Sequence, residues 1–157
     1  MIKIIFSDFD RTMLDYYSDD NYFDDYRISI LNKLKDKGIK FCIVTGRNVS
    51  FFERFPNLLE VVDYVIGSNG ACVYDVYNKE YIYQDIIEEK ILNEMIDYAI
   101  MNNFYFLLNC FDKRYQYGSF NNRNAIDYEK GKNYNCEQFV LFSKKESSEG
   151  RCVEGML

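Results

Sequence analysis

Near its start the chain has the run Ile2-Lys3-Ile4-Ile5-Phe6-Ser7-Asp8-Phe9-Asp10-Arg11-Thr12, in which an apolar segment is followed by two aspartates. Residues 2 to 7 are almost continuously apolar, which is typical of a β-strand buried on both faces. Asp8 and Asp10 are separated by one residue, so both carboxylates are within reach of one pocket as they leave the strand. The run therefore predicts a buried strand with a polar site at its carboxyl end.

The pattern outward from this run alternates between strand and helix. Predicted strands at 39–44 and 61–66 alternate with helices at 27–37 and 48–59, the second interrupted by Pro56, and a β-hairpin pairs 71–74 with 80–83. This order predicts an α/β fold, with a Rossmann-like parallel sheet as the core over residues 1–83. The acidic, tyrosine-containing segment 15–25 reads as a loop.

Residues after 83 have a different character. Apolar residues at Ile87, Ile91, Met95, Tyr98 and Ala99 predict an amphipathic helix over 86–101. A strand is predicted at 104–110, a polar, loop-rich stretch at 112–132 and a short strand at 138–142. We therefore expect a second α/β region over 84–142, followed by a disordered tail over 143–157.

Composition excludes several classes of function. The net charge is −6, from 25 acidic and 19 basic residues, and does not provide the basic face that nucleic-acid binding needs. No apolar stretch approaches the roughly 18–20 residues of a membrane-spanning helix, so no membrane partner is expected. The five cysteines show no CxxC pair, which indicates reduced thiols in a cytoplasmic protein. With no histidine, proton transfer must come from other groups.

Three polar clusters follow the predicted parallel strands, at 8–12, 45–47 and 68–70. Ligands of open parallel sheets gather at the carboxyl ends of the strands. A divalent cation at Asp8 would keep that carboxylate ionised for attack on phosphorus, while Asp10 moves the proton. Thr45, at a helix start, offers a phosphate cradle. The competing interpretation makes Asp8 and Asp10 simple turn or helix-capping residues.

These residues resemble a known family, the haloacid dehalogenase superfamily. The run from Phe6 to Leu14 resembles its motif I, Val44-Thr45-Gly46-Arg47 is similar to motif II, and Ser68-Asn69-Gly70-Ala71 is similar to the segment that marks the Cof-type branch. The resemblance implies a Mg²⁺-dependent phosphatase of small phosphorylated metabolites, mostly sugar phosphates, with an α/β cap inserted after the third core strand. Residues 84–142 would then be part of that cap.

The resemblance also implies roles for individual residues. Asp8 would be the nucleophile and a metal ligand, and Asp10 the general acid/base that also supplies a backbone carbonyl to Mg²⁺. The remaining motif residues would bind phosphate or substrate: Thr12, Thr45, Gly46, Arg47, Asn69 and Gly70.

The sequence departs from the family pattern in two places. Arg11 stands where the family usually has glycine, at a position that favours a backbone with positive φ. The family's motif III lysine and motif IV acidic pair have no counterpart, since no aspartate follows Asp127. The chain is therefore expected to stop within the cap.

Three functions remain open at this point. The first is a Cof-type phosphatase, and the second is a catalytically incomplete remnant or binding module that keeps the fold without turnover. The third, a receiver-like phosphoacceptor, fits poorly because a later strand ends in Thr45 where that class has a central aspartate. The sequence makes no prediction of oligomeric state.

Overall fold

The computed structural model describes residues 1–14, 23–111, 113–118 and 125–142. The predicted tail 143–157 and most of the predicted loop 15–25 lie outside these ranges. The chain divides into two compact units, Met1–Asp85 and Ile86–Leu157. No helix in the described ranges is long and apolar enough to cross a membrane.

The first unit alternates strands and helices as predicted. Its elements are β1 (Ile4–Asp8), α1 (Asp25–Asp36), β2 (Lys40–Val44), a 3₁₀ helix (Val49–Arg54), α2 (Pro56–Leu59), β3 (Tyr64–Gly67), a 3₁₀ turn (Ser68–Gly70), β4 (Cys72–Asp75) and β5 (Glu80–Gln84). Pro56 lies in the first turn of α2, where its missing N–H costs nothing, so it divides the predicted 48–59 helix in two.

The five strands of this unit form one sheet in the order β1-β2-β3-β4-β5. The pairs β1–β2 and β2–β3 are parallel, whereas β4 and β5 join as an antiparallel hairpin. The predicted α/β fold with a parallel sheet core is confirmed, with an antiparallel extension. Asp8 pairs with Val44, and Val44 pairs with Ile66, so the three parallel strands end at the same level.

Two details of the predicted strands were wrong. We expected β1 to be buried on both faces, but it is the first strand in the sheet order and Phe6 is 57% exposed. The third strand was expected from Val61 and begins instead at Tyr64. The amides of Val61 and Val62 both donate to the Leu58 carbonyl, at 3.1 and 3.2 Å, which holds these residues in the turn after α2.

An aromatic cluster packs beneath the end of β1. Phe9, between the two acids, is fully buried and contacts the ring of Phe52 edge-on, with centroids 4.9 Å apart. The rings of Phe23, Phe51 and Phe55 also belong to the cluster, with centroids 6.2, 6.1 and 6.0 Å from that of Phe9. Burying Phe9 anchors the segment from which Asp8 and Asp10 emerge.

The second unit is a helix on a four-stranded sheet. Its elements are α3 (Glu89–Met101), β6 (Tyr105–Cys110), β7 (Arg114–Tyr117), β8 (Ala125–Asp127) and β9 (Cys136–Phe142), with the sheet order β8-β7-β6-β9. We predicted a polar, loop-rich stretch over 112–132, and this was wrong for β7 and β8. Both strands are short: β7 has four residues, in which Tyr115 and Tyr117 alternate with polar residues, and β8 has only three.

Helix α3 forms as predicted but buries a different face. Leu92, Ile96 and Ala99 are buried against the sheet, at a spacing of four and three residues. Ile91 and Tyr98, which we expected in the core, are about half exposed. Two adjacent apolar stripes run along this helix, and periodicity alone does not separate them.

Candidate active site

The parallel register brings the three predicted polar clusters to one edge of the first sheet. Asp8, Val44 and Ile66 lie side by side at the strand ends, so the residues that follow each of them leave the sheet together. Backbone hydrogen bonds tie the second and third clusters to each other. The Thr45 amide donates to the Ile66 carbonyl at 2.9 Å, and the Asn69 amide donates to the Thr45 carbonyl at 3.1 Å.

Asp8 is exposed at the end of β1 and is oriented by its own loop. The Thr12 hydroxyl donates to Asp8 Oδ2 at 2.9 Å. This contact exists because the chain folds back after Phe9, whose carbonyl accepts from the amides of Met13 and Leu14, both at 2.9 Å. The hydroxyl fixes one carboxylate oxygen.

Arg11 adopts the left-handed conformation at the tip of this turn, with φ 63°. The expectation that this position needs positive φ is confirmed. A non-glycine residue there costs on the order of 1 kcal/mol. The Arg11 amide donates to the Leu14 carbonyl at 2.9 Å, so the strained residue is part of the hydrogen-bonded turn that carries Asp10.

Asp10 is held by Arg47 from the second cluster. Arg47 Nε lies 2.9 and 2.8 Å from the two carboxylate oxygens, and Nη2 also donates to Oδ1. The guanidinium carbon lies 3.8 Å from the centre of the Phe51 ring, which supports it from the side. Both charged side chains are partly exposed, at 38% for Arg47 and 43% for Asp10.

The Thr45 cluster is shaped by close packing. Thr45 is buried, and its Oγ1 accepts from the Arg47 amide at 3.2 Å. A Cβ on Gly46 would lie 2.8 Å from Asn69 Oδ1, so glycine is needed for the Asn69 side chain to approach. Ser68, Asn69 and Gly70 all have positive φ, at 50°, 58° and 97°, which turns this loop sharply back toward Thr45.

The predicted site residues therefore lie at one edge of the first sheet, Asp8 at the end of β1 and the others on the segments that follow the strands. Direct contacts join Asp8 to Thr12, Asp10 to Arg47, and Thr45 to Asn69. The predicted phosphate contact of Arg47 stays a prediction, and in this structure its guanidinium faces Asp10 and Phe51. The contact between Phe51 and Arg47 was not predicted from the sequence. A spacing of four residues indicates only that two side chains can share one face of a helix.

The oxygen donors of this edge suit a hard cation. Mg²⁺ commonly takes one or two protein oxygens and completes its shell with water and substrate phosphate. The Asp8 carboxylate and the Asp10 backbone carbonyl can serve in that way. Among the described residues no group of three acidic, cysteine or histidine side chains comes together.

The sequence and the fold define a family. The family model for haloacid dehalogenase-like hydrolases matches residues 5–151, which is most of the chain. This chain belongs to the haloacid dehalogenase-like hydrolase family.

Individual relatives support the same assignment. A protein of Buchnera aphidicola subsp. Baizongia pistaciae named "Putative phosphatase" is 35% identical over 125 residues, which are 80% of this chain and 45% of that protein. A phosphatase of the haloalkanoate (HAD) superfamily from Bacteroides thetaiotaomicron has a similar fold, with a TM-score of 0.73 at 21% identity. That match covers 96% of this chain and 59% of the other. A solved sugar phosphatase of HAD subclass IIB matches with a TM-score of 0.55 and 22% identity, over 73% of this chain and 43% of its own. The chain thus spans about half the length of these relatives.

Proposed function

We propose that this chain carries the nucleophile and the general acid/base of a Mg²⁺-dependent phosphatase acting on a small phosphorylated metabolite. The observation that carries the proposal is the unequal partnering of the two acids. Asp8 is exposed and held at one oxygen by a neutral hydroxyl, whereas both oxygens of Asp10 face a guanidinium. The first arrangement leaves one oxygen of Asp8 open for attack on phosphorus, and the second fixes the orientation of the Asp10 carboxyl group.

The chemistry divides into two displacements. Asp8 attacks phosphorus through the oxygen not bonded to Thr12, and the ester bond to the leaving alcohol breaks as Asp10 delivers a proton to that alcohol. Asp10 then takes a proton from water as the water oxygen attacks the aspartyl-phosphate, and the bond to Asp8 breaks to release phosphate. Bound Mg²⁺ would offset the negative charge that otherwise repels Asp8 from the phosphate.

The loop residues are suited to holding the phosphoryl oxygens. The Thr45 and Asn69 side chains lie on segments joined by a backbone hydrogen bond, and the Asn69 side chain packs closely against Gly46. Thr12 and Gly70 stand on the flanking loops. A sugar phosphate is the proposed substrate class, in keeping with the sugar phosphatase among the structural relatives.

Hydrolysis of p-nitrophenyl phosphate by the chain with Mg²⁺ tests this function. We expect turnover that Asp8→Asn removes and Asp10→Asn lowers by about 10²–10⁴-fold. Asp36→Asn, which changes an exposed carboxylate at the end of α1, is the matched control and should keep full activity. Turnover that survives Asp8→Asn would refute the assignment of the nucleophile.

A second candidate is a binding module that does not turn over substrate. It is favoured by one observation, the lack of a third acidic side chain beside Asp8 and Asp10 in the described part of the chain. Beryllofluoride with Mg²⁺ separates the two, because it adds to an aspartate nucleophile without needing proton transfer. A fluorine NMR signal that depends on Asp8, without any hydrolysis, would favour the binding module.

A further inference from the structure

The second unit contains two cysteines that are far apart in sequence and adjacent in space. Cys110 is the last residue of β6, and Cys136 is the first residue of β9. They lie directly opposite each other in the antiparallel pairing of these strands, next to a bulge after Asn109. The cysteine spacing in the sequence predicts no such pair.

Backbone hydrogen bonds hold both cysteines in place. The Cys110 amide donates to the Lys113 carbonyl, next to β7, at 2.9 Å. The Cys136 amide donates to the Tyr134 carbonyl, and its own carbonyl accepts from the Ile87 amide, both at 2.9 Å. Opposite residues of an antiparallel pair have Cα atoms about 4.5 or 5.5 Å apart, and both distances lie inside the roughly 4.4–6.8 Å range of disulfides.

The pairing places the two cysteine side chains next to each other, and Cys136 Sγ donates to the Gln138 carbonyl at 3.3 Å. Both are buried, at 1% and 0% exposure, and neither is in a disulfide. The other described cysteines differ: Cys42 and Cys72 lie on β2 and β4, with β3 between them.

We propose that Cys110 and Cys136 form a reversible intrachain disulfide on exposure to a small disulfide oxidant such as oxidised glutathione. One cysteine, as thiolate, attacks the oxidant, forms a mixed disulfide and releases one reduced thiol, which takes the first proton. The second cysteine then attacks the protein sulfur of the mixed disulfide, forms the Cys110–Cys136 bond and releases the second reduced thiol with the second proton. Two electrons pass from the cysteine pair to the oxidant.

The position of the pair explains how the reaction proceeds in a buried site. Both residues lie at the end of the β6–β9 ladder, where local opening is easiest. The neighbouring Cys110 thiol and burial raise the pKa of Cys136, so the folded chain keeps this thiol protonated and it reacts slowly. Opening of the ladder end exposes the thiols, and closing brings them together for the second step.

The bond would covalently join the end of β6 to the start of β9. It closes a loop that contains β7 and β8, and the Cys136 carbonyl also accepts a hydrogen bond from the Ile87 amide, near the start of the unit. Oxidation would therefore stabilise the folded unit by restraining its unfolded chain. This gives the second unit a response to oxidants that is independent of the first unit's chemistry.

Equilibration of the wild-type chain in glutathione redox buffers, folded and in urea, tests the proposal. Acid quenching, alkylation of free thiols and peptide mapping identify the bond by the joined peptides and the loss of two hydrogens. We expect Cys110–Cys136 as the main disulfide, with an equilibrium constant at least about 10-fold higher in the folded chain than in urea, because folding pre-aligns the thiols.

Either of two results would overturn the proposal: another pair predominating in the folded chain, or an equilibrium constant no higher than in urea. Cys110→Ser and Cys136→Ser must each abolish the joined peptides. Cys42→Ser and Cys152→Ser are the matched controls and should leave them unchanged. The readout does not depend on phosphatase activity.

Discussion

The side chain of Asn69 occupies the space that a Cβ on Gly46 would need, with Oδ1 only 2.8 Å from that position. The two residues come from different loops, which are joined by the hydrogen bond from the Asn69 amide to the Thr45 carbonyl. The second and third polar clusters are thus in contact through side-chain packing as well as through a backbone hydrogen bond. A substitution at either residue should therefore alter the packing of the other.

Gly46→Ala should destabilise the first unit by about 1 kcal/mol, because the added methyl displaces Asn69. Asn69→Gly removes the obstructing amide and suits the left-handed backbone at that position, where φ is 58°. In the Asn69→Gly background, Gly46→Ala should therefore cost much less. Urea unfolding of both single variants and the double variant measures this coupling. Equal cost in both backgrounds would show that the two residues do not meet.

Arg47→Lys should lower kcat for aryl phosphate hydrolysis by about 10²-fold, since a lysine cannot hold both oxygens of Asp10 in one orientation. The free energy of unfolding should change by no more than about 1 kcal/mol, because the ion pair is partly exposed. Steady-state kinetics and urea unfolding of the same preparation separate the two effects. A rise in KM at constant kcat would instead assign Arg47 to phosphate binding.

Arg11→Gly should stabilise the chain by about 0.5–1 kcal/mol, because glycine adopts φ 63° without the Cβ penalty. Lys79 has φ 56° in the β4–β5 turn, so Lys79→Gly should also increase the stability of the chain. Lys37→Gly is the control: Lys37 has φ −89° at the end of α1, so glycine there should lose stability. Thermal unfolding of the three variants tests the assignment, which fails if all three shift Tm in the same direction.

Some features of the candidate active site could be predicted from the local sequence, and others could not. The positions of Asp8, Thr45 and Asn69 were predictable because parallel strands end at one edge, and each polar cluster follows an apolar run directly. The partner of Arg47 was not predictable, since phosphate and Asp10 are both anions and only the loop geometry selects between them. The positive φ of Arg11 was predictable because the family that the sequence resembles usually has glycine at this position.

The second unit was harder to predict for a different physical reason. Strands β7 and β8 have only four and three residues and are defined by pairing with β6 and with each other. The opposition of Cys110 and Cys136 depends on the same register and on a one-residue bulge. Such long-range pairing leaves no periodic signal in the sequence. Helix α3 was predicted because its signal is local, although its buried face was not.

The start of α1 offers a pH-dependent test of local stability. Asp24 is the N-cap: its Oδ1 accepts from the Arg27 amide at 3.0 Å, and its Oδ2 from Arg27 Nη1 at 2.7 Å. Burial opposes ionisation of Asp24, but the hydrogen bonds from Arg27 outweigh it and lower the pKa of this carboxyl below its ordinary value. The native state therefore binds a proton less readily than the unfolded chain. Stability from this cap is present above the unfolded pKa of about 3.9, and it is lost as the pH falls through the lower folded value.

Asp24→Ala should cost about 1 kcal/mol of unfolding free energy at neutral pH, the usual value of an N-cap. The difference from wild type should stay constant down to about pH 5 and narrow below about pH 4, as the wild-type carboxylate takes up its proton. Asp24→Asn keeps a capping oxygen without the charge, so its smaller cost should vary less with pH. Urea unfolding across this range measures all three proteins. A gap between wild type and Asp24→Ala that widens as the pH falls would contradict the sign of the pKa shift, and with it the charge-assisted cap.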